Sequence, residues 1–183
     1  MTTPGAFDPS VLLRGIRDVA DFPLPGVLFR DLAPVLADPA GLAAVVEGLA
    51  AQAPPVDTVV GIEARGFALA AAVAYRLGAG FVPVRKAGKL PGPTLTASYD
   101  LEYGSAVLEV QRSAFDGAER VLVVDDVLAT GGTAAAALGL LARAGGGVTV
   151  AAVGVIVELA ALGGRAALAA GYPDVPVQAL LRL

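Results

Sequence analysis

The 183-residue sequence contains no cysteine and no histidine. Without cysteine there is no disulfide framework, no thiolate metal site and no cysteine nucleophile; without histidine, neither a Ser-His-Asp triad nor an imidazole zinc site can be built. Any catalysis must use carboxylates, cations, backbone amides or a borrowed metal. A basic excess is missing too: 13 lysines and arginines face 17 aspartates and glutamates, for a net charge of −4. The pI is about 4.7. The footprint of a general nucleic-acid binder is therefore absent, and any anion site has to be local. Long apolar runs are also lacking, although 56% of residues are hydrophobic and the mean hydropathy is +0.71. The stretch 66–75 is closed by Arg65 and Arg76, and 147–157 ends at Glu158; a spanning helix needs about 20 apolar residues. No membrane partner is expected. The opening MTTPGAFDPS has no basic region followed by an apolar run, so a cytoplasmic location is the default expectation.

What is present reads as one α/β domain over 1–183. Asp8-Pro9 and Asp38-Pro39 each set a capping carboxylate before a proline, predicting helices over about 9–20 and 39–51. Between them FPLPGVLFRD, 22–31, reads as an ordered loop, because its prolines and glycine oppose regular structure. From Asp57 onward, short β-branched runs alternate with alanine-rich helical stretches. Strands are predicted over 58–62, 80–85, 121–125 and 148–157, with helices near 66–77 and 132–144. Such alternation implies a mostly parallel sheet with helices on both faces, and ligands at the carboxyl ends of its strands. The segment 86–104, KAGKLPGPTLTASYDLEYG, breaks the pattern and reads as a long mobile loop, of the kind that serves as a lid.

The strongest signal is VLVVDDVLATGGT, 121–133: a buried strand, two acids at its exit, then a small-residue loop opening a helix. A helix N-terminus offers unpaired amides and partial positive charge, and Gly131 and Gly132 let a phosphate approach the backbone. Thr130 and Thr133 add hydroxyl donors. Asp125 and Asp126 are placed to grip hydroxyls of a sugar bearing that phosphate. EARGF, 63–67, puts Arg65 at a helix start, a second turn that can supply amides and a cation to an anion. Arg85, Lys86 and Lys89 form the only dense basic cluster, notable in an acidic chain because a polyanionic substrate must find positive potential somewhere. Two rival motifs fail. Gly61 and Gly66 have Walker A spacing, but Phe67 and Ala68 stand where lysine and serine or threonine are required; Gly78-Ala79-Gly80 has Pro83 in place of the third glycine of a dinucleotide fingerprint.

The 121–133 pattern closely resembles the phosphoribosyl pyrophosphate signature of the type I phosphoribosyltransferases, and LATGGT, with Ala129 where the hypoxanthine-guanine branch carries aspartate, resembles the adenine branch. PGVLFRD (25–31), EARGF, VPVRKAGKLPGPT (82–94) and YDLEYG (99–104) resemble segments of that branch in the same order, so nearly the whole chain is covered. The resemblance implies the type I fold with a mobile lid, about 86–104, and a small base-binding hood from 22–31 and the region around 159. It implies purine salvage: adenine and phosphoribosyl pyrophosphate give AMP and pyrophosphate. It places 5′-phosphate and ribose on Asp125, Asp126 and Ala129 to Thr133. Pyrophosphate falls to Glu63, Ala64, Arg65, Arg85, Lys86, Lys89 and Tyr103, with Arg85 directed toward a neighbouring subunit. The base falls to Leu28, Phe29, Arg30 and Leu159. Glu102 is the implied acid/base group, acting with Arg65, Asp125 and Asp126. Mg²⁺ is implied, bound mainly through substrate oxygens with no dedicated protein ligands, as is a homodimer. Two alternatives share these features: a phosphoribosyltransferase for xanthine or hypoxanthine, and a non-catalytic regulator that senses phosphoribosyl pyrophosphate.

Overall fold

The computed structural model describes residues 9–101, 104–115, 120–145 and 147–183. By contact the chain divides into two units, Met1–Gly48 and Leu49–Leu183. The first contains helix α1 (Pro9–Gly15), strands β1 (Arg17–Ala20) and β2 (Leu28–Asp31), helix α2 (Ala33–Ala37) and the start of α3, Pro39–Gln52. The helix expected to reach Ala20 stops at Gly15, and 28–31, expected as loop, is a strand. The cause is pairing that local propensity does not reveal. β1 and β2 run antiparallel, with Arg17 opposite Asp31 and Ala20 opposite Leu28, and ion pairs Arg17–Asp31 and Arg30–Asp18 cross the ribbon. Asp38 caps α3 as expected, its carboxylate accepting from the Gly41 amide at 2.8 Å.

The second unit is built on a seven-stranded sheet of order β5-β6-β4-β3-β7-β8-β9. Its strands are β3 (Thr58–Ile62), β4 (Gly80–Lys86), β5 (Thr94–Leu101), β6 (Gly104–Gln111), β7 (Arg120–Leu128), β8 (Thr149–Glu158) and β9 (Val177–Arg182). β4, β3, β7, β8 and β9 are parallel, and the β5–β6 hairpin adds antiparallel to β4. The parallel strands are apolar on both faces, as burial from two sides requires. Val60, Ile62, Val121, Val123, Val153 and Val155 pack with α5 (Gly132–Ala144) and with Leu168 of α6, Gly164–Gly171. On the opposite face α4 (Arg65–Leu77) lies so close that a Cβ at Gly61 would stand 2.8 Å from Ala70 Cβ. No described helix is long and apolar enough to cross a membrane.

The expected loop over 86–104 is corrected here: residues 94–101 form β5, in register with β6 from Thr94↔Gln111 to Leu101↔Gly104. The reason lies in its period of two. Leu95, Ala97 and Tyr99 turn one face to the core, a pattern overshadowed by the prolines and glycines that precede it. β7 also outruns its expected end at Asp125 and continues to Leu128, because β8 supports it as far as Leu128↔Glu158.

Candidate functional site

β3 ends at Ile62, and its pairing with β7 stops at Gly61↔Val124. Beyond that point β7 has a neighbour on the β8 side only, and Asp125 and Asp126 lie on this stretch. Asp126 is 6% exposed; its amide donates to Asp125 Oδ1 at 2.9 Å. Loss of solvation, and then the adjacent Asp126 charge, push the Asp125 carboxyl well above the usual carboxylate range.

The two turns expected to handle anions meet at this place. α4 begins at Arg65 directly against β7: a Cβ on Gly66 would stand 2.8 Å from Val124 O and 3.1 Å from Asp125 Oδ1. Only glycine permits that approach, and it brings Arg65 Nε to 2.9 Å from Asp126 Oδ2. The contact is an ion pair by distance without an aligned hydrogen bond, since that buried oxygen accepts none. The peptide bond Glu63–Ala64 is cis.

After Leu128, residues Ala129 to Gly131 turn the chain into α5. Gly131 has φ +89° and no side chain caps the helix, so its first amides point outward without intrahelical partners. Asp125, Ala129, Thr130, Gly131, Gly132 and Thr133 line one pocket there. An open-ended pair of carboxylates, a cation and a glycine-bounded amide cradle can hold a phosphorylated polyol with a second anion beside it.

The basic cluster is fixed by two carboxylates. Glu63 Oε2 accepts from the Lys86 amide at 2.8 Å and lies 3.4 Å from Arg85 Nε; the amide bond first, then Arg85, hold its carboxyl below the ordinary value. Arg85 also stands over the Phe67 ring at 5.8 Å. The second carboxylate, Glu109 on β6, was not singled out from the sequence. It is 4% exposed and accepts from the amides of Lys89 (2.7 Å) and Leu90 (2.8 Å). Burial alone would raise its carboxyl, but the amides of Leu90, Lys89 and Gly88 and the Thr94 hydroxyl outweigh it and hold it low. The turn bearing Lys89 is thus anchored rather than loose. No local pattern marks Glu109, since its partners lie about twenty residues away.

In the first unit, Phe29 packs edge-on against Phe22 at 5.0 Å, and the two rings with Val19 and Asp31 line an open pocket of about 230 Å³. Leu28 is exposed, and Arg30 pairs with Asp18 rather than with its neighbour Asp31. Leu159, in the second unit, is half-buried just after β8, its amide donating to Leu128 O at 2.9 Å. Glu102 and Tyr103 lie outside the described residues.

Comparison with known proteins agrees with this geometry. The family model for the phosphoribosyl transferase domain matches residues 36–165. The chain is 55% identical over 183 residues, 99% of each chain, to adenine phosphoribosyltransferase of Streptomyces coelicolor. Its fold matches the crystal structure of adenine phosphoribosyltransferase from Rhodothermus marinus with a TM-score of 0.85 and 46% identity, covering 96% of this chain and 98% of that one. It also matches the Saccharomyces cerevisiae adenine phosphoribosyltransferase complexed with an imino-altritol bisphosphate and adenine, with a TM-score of 0.85 and 36% identity over 94% of this chain and 98% of that one.

Proposed function

The chain belongs to the adenine phosphoribosyltransferases of the phosphoribosyl transferase family, and we propose that it converts adenine and phosphoribosyl pyrophosphate to AMP and pyrophosphate in purine salvage. The observation that carries this reading is the Arg65–Asp126 pair at the open end of β7, beside the Ala129–Gly131 turn. It sets a group for the leaving anion against a group for the sugar.

In this reading the 5′-phosphate sits on the outward amides of Gly132 and Thr133, with Ala129 to Gly131 as the turn and the Thr130 and Thr133 hydroxyls as donors. Ribose hydroxyls donate to Asp125 and Asp126. The bond from the anomeric carbon to pyrophosphate breaks as a purine ring nitrogen bonds to that carbon, and the nitrogen's proton is lost. Positive charge grows on the sugar, where the two aspartates favour it, and negative charge grows on pyrophosphate, where Arg65, Lys86 and Lys89 favour it. Movement of the exposed Arg65 head onto pyrophosphate uncovers the buried Asp126 oxygen for a ribose hydroxyl. Glu63 acts through Arg85 and, with Ala64, through the backbone of the turn. Glu102, between β5 and β6, takes the purine proton, and Tyr103 helps exclude water that would capture the same carbon.

Mg²⁺ would be carried mainly on pyrophosphate and ribose oxygens, where the ion would neutralise leaving-group charge. We place the enzyme in the cytoplasm, acting as a homodimer. Pyrophosphate release measured with adenine, guanine, hypoxanthine and xanthine tests the assignment: activity with adenine at least a hundredfold above the others is expected, and a preference for a 6-oxopurine overturns it. Phosphoribosyl pyrophosphate binding without release under any base would favour a sensor instead.

A further inference from the structure

The mechanism leaves one strongly paired buried group unused. Glu158, at the end of β8, is 2% exposed. Arg165 Nε donates to both its oxygens at 3.0 Å, the Arg165 Nη2 group donates to Oε2, and Nη1 donates to Val177 O at 2.6 Å. Arg182 Nε stands 3.5 Å from Oε1. The four Arg165 hydrogen bonds fix the first turn of α6 to the last residue of β8 and the first residue of β9.

The residue before Arg165 touches the phosphate turn from behind. A Cβ on Gly164 would stand 2.2 Å from Ala129 O and 3.0 Å from Gly131 N. Reciprocally, a Cβ on Gly131 would stand 2.9 Å from Gly164 O. The other end of α6 reaches the same helix start, where the Tyr172 hydroxyl donates to Ala135 O at 3.3 Å. The turn and Gly164 are therefore in close backbone contact with no room for a side chain between them, and the next residue, Arg165, is tied to Glu158 and Val177.

We propose that Glu158 and Arg165 are positioning residues for 5′-phosphate binding, acting through α6 and Gly164 to aim the backbone amides after Ala129. The proposal rests on the assignment of that turn to the 5′-phosphate. Lysine at 165 keeps the charge but has one donor head in place of a planar fork, so it cannot hold Glu158 and Val177 O together. Alanine at 164 leaves every charge in place and displaces the turn directly.

The test compares Arg165→Lys, Gly164→Ala and Thr133→Val in the full chain, reading KM for each substrate, kcat and Tm. Arg165→Lys and Gly164→Ala are expected to raise KM for phosphoribosyl pyrophosphate about tenfold, the size of one charge-assisted contact, with KM for adenine within twofold. Thr133→Val raises the same KM. If Thr133→Val does so and the other two do not, the brace is refuted while the phosphate site stands. If KM for both substrates rises together with a fall in Tm, the contact is merely structural and the proposal fails. No effect of Thr133→Val, Gly164→Ala or Arg165→Lys removes the phosphate assignment and the proposal with it. Should Arg165→Lys fail to fold, Glu158→Gln asks the same question of the pair, since it keeps the side-chain volume and removes the charge that holds the Arg165 guanidinium. It too is expected to raise KM for phosphoribosyl pyrophosphate with KM for adenine within twofold, and an unchanged KM refutes the brace.

Discussion

Replacing Asp126 by asparagine removes one charge and almost no volume from the centre of the site. The side chain is 9% exposed and faces Arg65 at 2.9 Å, so bulk water screens it little. If a near-unit positive charge develops on the ribose about 6 Å away, an effective dielectric of about 20 gives an attraction of roughly 3 kcal/mol. Lost from the transition state alone, that amounts to about a hundredfold in kcat. Stability should hardly change. The partner left behind, Arg65, has a side chain 43% exposed and stays solvated, and a neutral amide in place of a buried carboxylate lowers the desolvation cost; a net change of about 1 kcal/mol or less is expected. AMP formation under saturating substrates gives kcat, and thermal unfolding gives Tm. A kcat within threefold of the parent at unchanged Tm refutes the charge argument. A matching fall in both would instead assign Asp126 to the fold.

If Asp125 holds a ribose hydroxyl as proposed, it is expected to couple ligand binding to protons. Its carboxyl is raised, chiefly by lost solvation and then by Asp126, and ribose hydroxyls donating to the ionised form lower it again; AMP binding should release protons between those two values. Calorimetry in mildly acidic buffers of unequal ionisation heat should give unequal enthalpies, and identical ones would count against the ribose contact. Because the shift is upward, the stability associated with protonated Asp125 is complete below the unfolded value near about 3.9 and is lost as pH rises through the folded one; Asp125→Asn should therefore unfold at a higher temperature than the parent above that window. Glu109 is shifted the other way, so its contribution is present above about 4.3 and is lost as pH falls through its folded value. Glu109→Gln should cost about 1–3 kcal/mol and raise KM for phosphoribosyl pyrophosphate by loosening the Lys89 turn; an unchanged KM would leave Glu109 a purely structural group. Gly61→Ala, whose methyl would meet Gly66 O and Ala70 Cβ at 2.8 Å, should cost about 1–3 kcal/mol in a urea melt, and a neutral result would show that α4 has room to shift. Phe29→Ala is expected to raise KM for adenine alone; a rise confined to the other substrate would sink the hood assignment.

The parts of the site legible in the sequence are those whose chemistry is contiguous. Asp125 to Thr133 carry acids, small residues and hydroxyls in one run, and Glu63 to Phe67 carry the second turn, so their roles could be argued residue by residue. Glu109 and Glu158 could not. Each is a single carboxylate inside an apolar strand, and its significance comes from partners outside that strand: amides of the turn before β5 for Glu109 and a guanidinium on α6 for Glu158. The same division holds for the fold. Helix α5 begins at Gly132 and ends at Ala144 as expected from its glycines and alanine spacing. β1 fails the local argument, since RDVA continues a helical pattern until it finds LFRD across the ribbon. β5 was readable from Leu95, Ala97 and Tyr99, but turn formers at 88–93 drew the whole stretch into a loop.

Asp125 and Asp126 ride on a hydrogen-bonded strand rather than on the loop that follows it. Groups tethered this way cannot swing to meet a growing charge, and they do not have to. In the proposed reading the field at the sugar carbon is oriented before substrate arrives, so little of the electrostatic gain is given back as reorganisation during bond breaking. If Asp125 and Asp126 hold ribose as proposed, a sugar whose hydroxyls sit out of place meets carboxylates whose backbone is held in register by β8, and selection among pentose phosphates is the expected corollary.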